Sequence, residues 1–307
     1  MNDIRIALCL YGTMRSPNTC LPSLYDKIIK PWNTDVIVCI NKWYDHPDVN
    51  DSERIDILRK MGVNIVDEDI RPQPDLYTFF PQSFYDKFIP FAKEREKQYS
   101  NPHWCNFLGP LTGCHAGLHM RLNWYKLALL LEDKKHVDNY DYFLITRPDQ
   151  LYMFPIFDKS LLVEDQIIHY DEKGFPEGRL GGINVDFVIV SRKHVLNWLH
   201  NISCVKYFSI DELQDSLLQE LNQCVPLLSE GLSDYVTRLA GFTTKRMFIN
   251  SFVSCDSEKE QTSFNKVKFD GQYYFKYEHD YEPCMRNYQL WNEGLRWIDI
   301  GDQIILS

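Results

Sequence analysis

An arginine and an aspartate stand at the end of a strongly apolar segment, in a position suited to binding phosphate or a metal ion. The segment spans 140–146 and is followed by Arg147, Pro148 and Asp149. Its apolar run predicts a buried strand, and open α/β sheets bind ligands at the carboxyl ends of their strands. There Asp149 can hold a divalent metal, and Arg147 can pair with phosphate oxygens. The alternative is a strand that simply ends in a solvated turn.

Two other predicted strands also end in polar or glycine residues. Gly12 and Arg15 follow the run 4–10; glycine permits close approach of a ligand to the backbone, and arginine can contact phosphate. Asn41 and Trp43 follow the run 35–40 and are candidates for contacting a base or a ribose. An ordinary tight turn and a packing tryptophan are the alternatives at these positions.

Two carboxylates are candidates for proton transfer. Asp186 begins the apolar part of a strand predicted over 185–190, where a buried carboxylate requires a partner. Glu230 lies in a helix predicted over 229–239, one turn from Asp234 and on the same side. Either acid can serve as the base that deprotonates a hydroxyl group. An acid in the first turn of a helix also stabilises the helix dipole without any catalytic role.

Histidine positions give weaker indications of metal binding. His115 and His119 have the spacing of two ligands on one helix face, but the glutamate of a His-Glu-x-x-His motif is missing. His279 is a candidate late metal ligand. The chain has no Gly-x-Ser-x-Gly, Gly-x-Gly-x-x-Gly or Walker loop, so the hypotheses depend on Arg147, Asp149 and the residues after the first strand.

The elements that must position these residues alternate between strand and helix. Strands are predicted near 4–10, 35–40, 63–66, 140–146 and 185–190. Helices are predicted near 21–30, 52–61, 112–135, 192–199, 211–221 and 229–239. This alternation predicts an α/β fold with a mostly parallel sheet flanked by helices, and the first, second, third and fourth strands in one sheet. Residues 70–111 are expected to form an irregular insertion with a helix near 83–96, and no elements are predicted over 245–307.

Composition limits the kinds of partner. The chain has 307 residues and a net charge of −10, so it lacks the basic surface that a nucleic-acid-binding protein requires. No run of eighteen apolar residues predicts a membrane span, and the first residues do not resemble a signal peptide. The nine cysteines include no Cys-x-x-Cys pair, which predicts buried free thiols in a reducing compartment. We therefore expect a soluble, cytoplasmic, single-domain protein over 1–307.

The order of these motifs resembles that of GT-A-like glycosyltransferases of polysaccharide-synthesis and large-virus genomes. The resemblance covers residues 4 to about 240 and rests on four features. They are the run Ala7-Leu-Cys-Leu-Tyr-Gly-Thr-Met-Arg15, Asn41-Lys-Trp43, a long helix before Tyr140-Asp-Tyr-Phe-Leu-Ile-Thr-Arg-Pro-Asp149, and the later Asp186-Phe and Glu230-Gly-Leu segments. Many GT-A enzymes carry two acids where this chain has Arg147 and Asp149.

The resemblance implies a Rossmann-like nucleotide-binding core and glycosyl transfer from a nucleoside-diphosphate sugar to a hydroxyl group of a glycan or other acceptor. The residues it implies for donor binding are Tyr11, Gly12, Arg15, Asn41, Arg147 and Asp149. Asp149 would also hold Mn²⁺ or Mg²⁺, and Glu230 or Asp186 would be the catalytic base. Asparagine at position 149 is then expected to abolish metal-dependent donor hydrolysis while the thermal midpoint stays within a few degrees.

Two other functions are compatible with the same residues. A binding module would keep the fold and the nucleotide-sugar site without turnover. A nucleotidyltransferase would use a similar sheet but release pyrophosphate rather than a nucleoside diphosphate. The products of donor breakdown separate the three.

Overall fold

The computed structural model describes residues 4–41, 51–72, 74–99, 108, 111, 117–170, 184–222, 229–255 and 267–307. Its strands are β1 Ile6–Gly12, β2 Asp35–Asn41, β3 Ile65–Arg71, β4 Tyr142–Thr146, β5 Gln150–Tyr152, β6 Gln166–Tyr170, β7 Asn184–Ser191, β8 Thr243–Met247, β9 Ser251–Cys255, β10 Lys268–Phe269, β11 Tyr274–Phe275, β12 Trp297–Ile300 and β13 Gln303–Leu306. Its α-helices include α1 Pro17–Leu24, α2 Lys30–Trp32, α3 Asp51–Lys60, α4 Gln82–Tyr99, α5 Gly117–Asp133, α6 Val195–Ile202, α7 Val205–Ser209, α8 Asp211–Leu221, α9 Ser229–Leu239 and α10 Glu278–Asn292.

Nine of these strands form one large mixed sheet. Their order is β12-β13-β8-β6-β7-β4-β1-β2-β3. The pairs β1–β2, β1–β4, β2–β3, β6–β8 and β8–β13 are parallel, whereas β7 runs antiparallel to both β4 and β6. The prediction of an α/β fold with a mostly parallel sheet flanked by helices is confirmed, as is the placement of the first four predicted strands in one sheet.

The chain changes direction across the sheet at β1. From β1 it proceeds outward to β2 and β3, and then returns to place β4 on the other side of β1. In open α/β sheets the loops at such a switch point leave in opposite directions, and a ligand-binding crevice is expected between them at the carboxyl edge of the sheet. Gly12 ends β1 and Thr146 ends β4, so the sequence-predicted site residues lie on both sides of this crevice.

Two apolar cores cover the two faces of the sheet. Side chains of β1 alternate between them: Ala7, Cys9 and Tyr11 join the core that includes α4 to α8, and Leu8 and Leu10 join the core that includes α1 and α3. This alternation follows from the two-residue period of a strand, and burial on both faces explains why the strand is apolar throughout.

A second sheet is built largely from the segment for which the sequence predicted no elements. Its order is β10-β11-β9-β5, and β5 begins directly after Asp149. The backbone N–H of Ser254 donates to the carbonyl of Asp149 over 3.0 Å, and the N–H of Lys276 donates to the carbonyl of Val253 over 3.1 Å. The last part of the chain is therefore brought to the end of β4.

Several predicted boundaries differ from the observed ones. The third strand begins at Ile65 and continues to Arg71, beyond the predicted 63–66. The first crossover helix begins at Pro17, passes through a π-helical turn at Tyr25–Ile29 and ends after Trp32. The expected irregular insertion contains the 18-residue helix α4. Apolar contacts of Phe84 and Phe88 with the core stabilise that helix.

Within the described ranges, no helix has both the length and the apolar composition to cross a membrane. The described cysteines Cys9, Cys20, Cys39, Cys204, Cys255 and Cys284 are free and buried, as predicted for these positions. Burial raises the pKa of the Cys39 thiol to about 12, so this side chain remains protonated and acts as an apolar residue of the core.

Replacement of a side chain of β4 should show how strongly the fold depends on the centre of the sheet. Leu144 is completely buried, whereas Leu239 is 56% exposed. We expect Leu144→Ala to lower the free energy of unfolding by about 2–5 kcal/mol because it leaves a cavity. Leu239→Ala should change it by less than about 0.5 kcal/mol. Urea unfolding of both variants measures this, and equal effects would contradict the described packing of β4.

Candidate functional site

Arg147 lies between two carboxylates at the crevice. Its Nε and Nη2 donate to the two oxygens of Asp149 over 2.9 and 2.7 Å, and its Nη1 donates to Oδ1 of Asp186 over 3.3 Å. The side chain of Asp149 is completely buried, and those of Arg147 and Asp186 are 20% and 17% exposed. Two parallel hydrogen bonds between a guanidinium and a carboxylate fix both groups in orientation. Arg147 and Asp186 are therefore the members of this triad that solvent reaches.

Neighbouring strands hold this triad in place. Thr146, the last residue of β4, donates from its hydroxyl to the carbonyl of Asp186 over 2.7 Å. Because β7 runs antiparallel to β4, the beginning of β7 carries Asp186 to the edge where β4 ends. The chain then enters β5, whose pairing with β9 fixes the backbone next to Asp149.

Electrostatics favour a charged Arg147. Burial opposes the charged form, but the adjacent Asp149 and Asp186 raise the pKa of Arg147 well above its usual value. The guanidinium therefore remains positive, with one edge committed to Asp149. Its contact with Asp186 is longer, so that side of the group is the more readily shared with an incoming anion.

The loop after β1 borders the same crevice. Gly12 has φ +94°, and a Cβ placed on it would meet no atom of the described residues within 4 Å. The left-handed backbone explains the glycine, and the space above it is open. Arg15 is half-buried and interacts electrostatically with both Lys276 and Tyr277. Gly12 and Arg15 are thus brought to the edge that Arg147 and Asp149 occupy.

Tyr11 lies beneath the triad. Its side chain is 1% exposed and its ring lies 6.0 Å from that of Trp124 on α5. Burial and the negative charge of Asp186 raise its pKa well above the usual value, against the influence of Arg147. Tyr11 is therefore a neutral phenol that supports the site from the core.

Asn41 is engaged by the protein itself. Its amide nitrogen donates to Oδ1 of Asn123 over 2.5 Å, and its oxygen accepts from the ammonium of Lys126 over 2.8 Å. The residue is 2% exposed. These bonds fix the end of β2 to α5, and contact between Asn41 and a base or ribose stays a prediction.

Several other predicted site residues lie partly or wholly outside the described residues. Glu230 lies in the first turn of α9, and its side chain is outside the described residues. Asp234 pairs with Arg238 over 2.6 Å, one turn further along the same helix. Trp43 and His115 lie outside the described residues, as does the side chain of His279. Burial lowers the pKa of His119 to about 4, so this ring is neutral at physiological pH.

Lys276 and Tyr277 are site residues that the sequence did not indicate. They lie between β11 and α10, and they interact electrostatically with Arg15, Arg147 and Asp149. Burial raises the pKa of Tyr277 to about 12, against the opposing influence of Arg147. A lysine before a helix carries no recognisable signal, because its position depends on pairing between strands that are far apart in sequence.

The described residues do not form a ready site for a divalent metal at Asp149. Both oxygens of Asp149 accept hydrogen bonds from Arg147. Across the described ranges, no three His, Cys, Asp or Glu side chains are grouped so that they could hold one ion. For a metal to bind at Asp149, it must first displace Arg147. The expectation of Mn²⁺ or Mg²⁺ at Asp149 stays a prediction.

Comparison with known proteins adds no functional assignment. No protein-family model matches the chain, and no curated protein matches it with significant similarity.

Burial of Asp149 changes the expected consequence of its replacement. Removing one partner of a buried ion pair leaves the other charge uncompensated. We therefore expect Asp149→Asn to lower the free energy of unfolding by about 3 kcal/mol, in place of the small effect expected from sequence. The double variant Arg147→Met/Asp149→Leu should lose less than the sum of its single variants, because both charges are removed together.

Asp302→Asn is the matched control, since Asp302 pairs with Arg246 but is 70% exposed. Its replacement should leave the urea midpoint unchanged. If the losses of unfolding free energy in the two single variants add up to the loss in the double variant, Arg147 and Asp149 contribute no coupling energy.

Proposed function

We propose that the protein is a GT-A-like glycosyltransferase that transfers a sugar from a nucleoside-diphosphate donor to a hydroxyl acceptor. The observation that supports this most directly is the convergence of Arg15, Arg147, Asp149 and Asp186 at one crevice. That crevice is the topological switch point between β1 and β4, where open α/β sheets bind their ligands.

The donor is placed with its diphosphate near the loop after β1. Among the described residues, no atom would contact a Cβ at Gly12, which favours close approach of a phosphate to this backbone. Arg15 and Arg147 supply positive charge, since both interact electrostatically with Lys276 and Tyr277. The same charges stabilise the diphosphate as it departs, because a fixed cation near developing negative charge lowers the barrier in a partly buried site.

The acceptor reaction requires a base. The acceptor oxygen forms a bond to the anomeric carbon, the bond from that carbon to the diphosphate oxygen breaks, and its electron pair leaves with the diphosphate. The hydroxyl proton goes to a carboxylate. Asp186 suits this role better than Asp149, because it is 17% exposed whereas Asp149 is completely buried. Glu230 is the alternative base, from the first turn of α9.

A nucleotide-sugar-binding module is the second candidate function. It is favoured by the bidentate pair of Arg147 and Asp149, which commits to the protein a carboxylate that the resemblance assigns to metal binding. Such a module would use the same crevice without turnover.

Donor binding should depend on Arg15. We expect Arg15→Ala to weaken binding of a nucleoside diphosphate by about 1.5–3 kcal/mol, the range for losing a hydrogen bond to a charged group. Arg59→Ala is the control, since the Arg59 side chain is 45% exposed and pairs with Asp56 and Glu68. Calorimetry with a panel of nucleoside diphosphates measures both, and a parent-like affinity of the Arg15 variant would move the donor site elsewhere.

Turnover should depend on Asp186. With a panel of nucleotide sugars and a glycan array as acceptors, the parent protein should release nucleoside diphosphate. Asp186→Asn should reduce transfer by about 10²–10⁴-fold, because a general base has been removed. Its donor affinity should be maintained or increased, because a negative charge near the diphosphate has been removed.

The products distinguish the alternatives. Release of pyrophosphate would indicate a nucleotidyltransferase. Binding of a nucleotide sugar without transfer or slow hydrolysis would indicate a binding module. Full transfer activity of the Asp186 variant would shift the role of base to Glu230, for which Glu230→Gln is the corresponding variant.

A further inference from the structure

Lys276 is a buried cation with an unusual set of neighbours. The residue is 9% exposed, and its Nζ lies 5.7 Å from the centre of the Tyr277 ring. Among the residues that the structure describes, no carboxylate forms an ion pair with it. Its electrostatic neighbours include two positive groups, Arg15 and Arg147. A lysine is seldom buried without a paired anion, because loss of hydration disfavours its charge.

Another lysine of the chain shows the usual arrangement. Lys245 is 3% exposed, and its ammonium pairs with Asp299. The two lysines are thus similarly buried, but only Lys245 has its counter-ion among the described residues. The contrast singles out Lys276 as a buried ammonium to which a ligand could supply the anion.

The charges around the crevice also leave room for an anion. Arg15, Arg147 and Lys276 are positive, and Asp149 and Asp186 are negative. Both oxygens of Asp149 accept hydrogen bonds from Arg147, so the negative charge of Asp149 is shared between Arg147 and Lys276. Among these described groups there is one more positive than negative charge, although the chain carries a net charge of −10.

We propose that Lys276 binds the donor diphosphate together with Arg15 and Arg147, and supplies charge that a divalent ion supplies in metal-dependent enzymes. This inference rests on the proposed function, and it adds a binding residue and a mode of diphosphate recognition to it. The second sheet then has a role in donor binding. The backbone hydrogen bond from Lys276 to Val253 in β9, and that from Ser254 to Asp149, hold Lys276 near the end of β4.

Titration of Lys276 gives the proposal a pH dependence. Burial, together with Arg15 and Arg147, lowers the pKa of Lys276 to about 8, while Asp149 and Cys255 act in the opposite direction. A bound diphosphate favours the charged form. Affinity should therefore be high at pH 7 and about tenfold lower at pH 9, where the free protein must first take up a proton. Tyr277, with a pKa of about 12, does not titrate in this interval.

The test is calorimetry with inorganic pyrophosphate and a panel of nucleoside diphosphates, in the presence of a metal chelator. We expect the parent protein to bind at pH 7 and Lys276→Met to bind about 10- to 150-fold more weakly. Lys276→Arg should retain most of the affinity. Lys245→Met is the control for loss of a buried lysine, and Cys255→Ser separates titration of the thiol from that of the ammonium. The difference between pH 7 and pH 9 should disappear in Lys276→Met.

Stability supplies a readout that needs no ligand. The unfolded chain retains its proton on Lys276 up to a higher pH than the folded protein, so the charge destabilises the fold below about pH 8. At pH 7, Lys276→Met should therefore raise the thermal midpoint, and this gain should diminish towards pH 10. Lys245→Met should lower the midpoint instead, because it leaves Asp299 without its partner.

Each outcome has a definite meaning. Equal affinity of the parent protein and Lys276→Met, no binding by the parent protein, or binding that is lost on chelation would overturn the proposal. A lower midpoint for Lys276→Met would also contradict it, since it would indicate a counter-ion within the protein. If binding of the diphosphates depends on Lys276 but no sugar is transferred, this inference holds and the proposed transferase function is wrong.

Discussion

The buried ion pair between Arg147 and Asp149 is the interaction on which the site depends. A carboxylate with no solvent exposure is tolerated only when its oxygens are bonded, and Arg147 bonds both of them. Asp149 also fixes the guanidinium of Arg147 at the end of β4, so that Nη1 of Arg147 lies towards Asp186. Because the backbone carbonyl of Asp149 also accepts from Ser254, the same residue connects the large sheet to the small one.

This connection explains how the site draws on distant parts of the chain. The large sheet contributes Arg15 after β1, Arg147 after β4 and Asp186 at the beginning of β7. The small sheet contributes Lys276, whose backbone is bonded to β9. On the proposed function, groups that are held by backbone pairing in two sheets are preorganised, which lowers the cost of orienting charge around a diphosphate.

The parts of the fold that the sequence predicted are those with a strong local pattern. Strands β1, β2, β4 and β7 are continuous apolar runs because both of their faces are buried. Helices α8 and α9 begin and end where predicted. Strand β3 was placed too early because it lies at the edge of the sheet, where the partly exposed Asp67 and Glu68 interrupt the apolar strand pattern. The two-residue strands β10 and β11 are too short to show any periodicity.

The site residues, like the strands and helices, were predicted from sequence only where a local pattern marks them. Arg147 and Asp149 were indicated because they end an apolar strand, but their mutual pairing was not, since it depends on the turn at Pro148. Asn41 has the expected position at a strand end, yet α5 occupies its polar atoms. Lys276 lies 127 positions beyond Asp149 in the chain, and only the pairing of β5, β9 and β11 brings the two together.

On the proposed function, the two carboxylates have separate tasks that follow from their exposure. Asp149 is withdrawn from solvent and neutralises Arg147, which limits the repulsion that Arg147 exerts on Lys276. Asp186 is partly exposed and contacts Arg147 over the longer distance of 3.3 Å, and we propose that an arriving diphosphate shares the guanidinium while this carboxylate faces the acceptor. Arg147 thereby couples the two ends of the reaction: the anion that it stabilises on the donor side weakens its hold on the base. On this proposal, Arg147 lies between a structural and a reactive carboxylate, at a position where many GT-A enzymes carry a second acid.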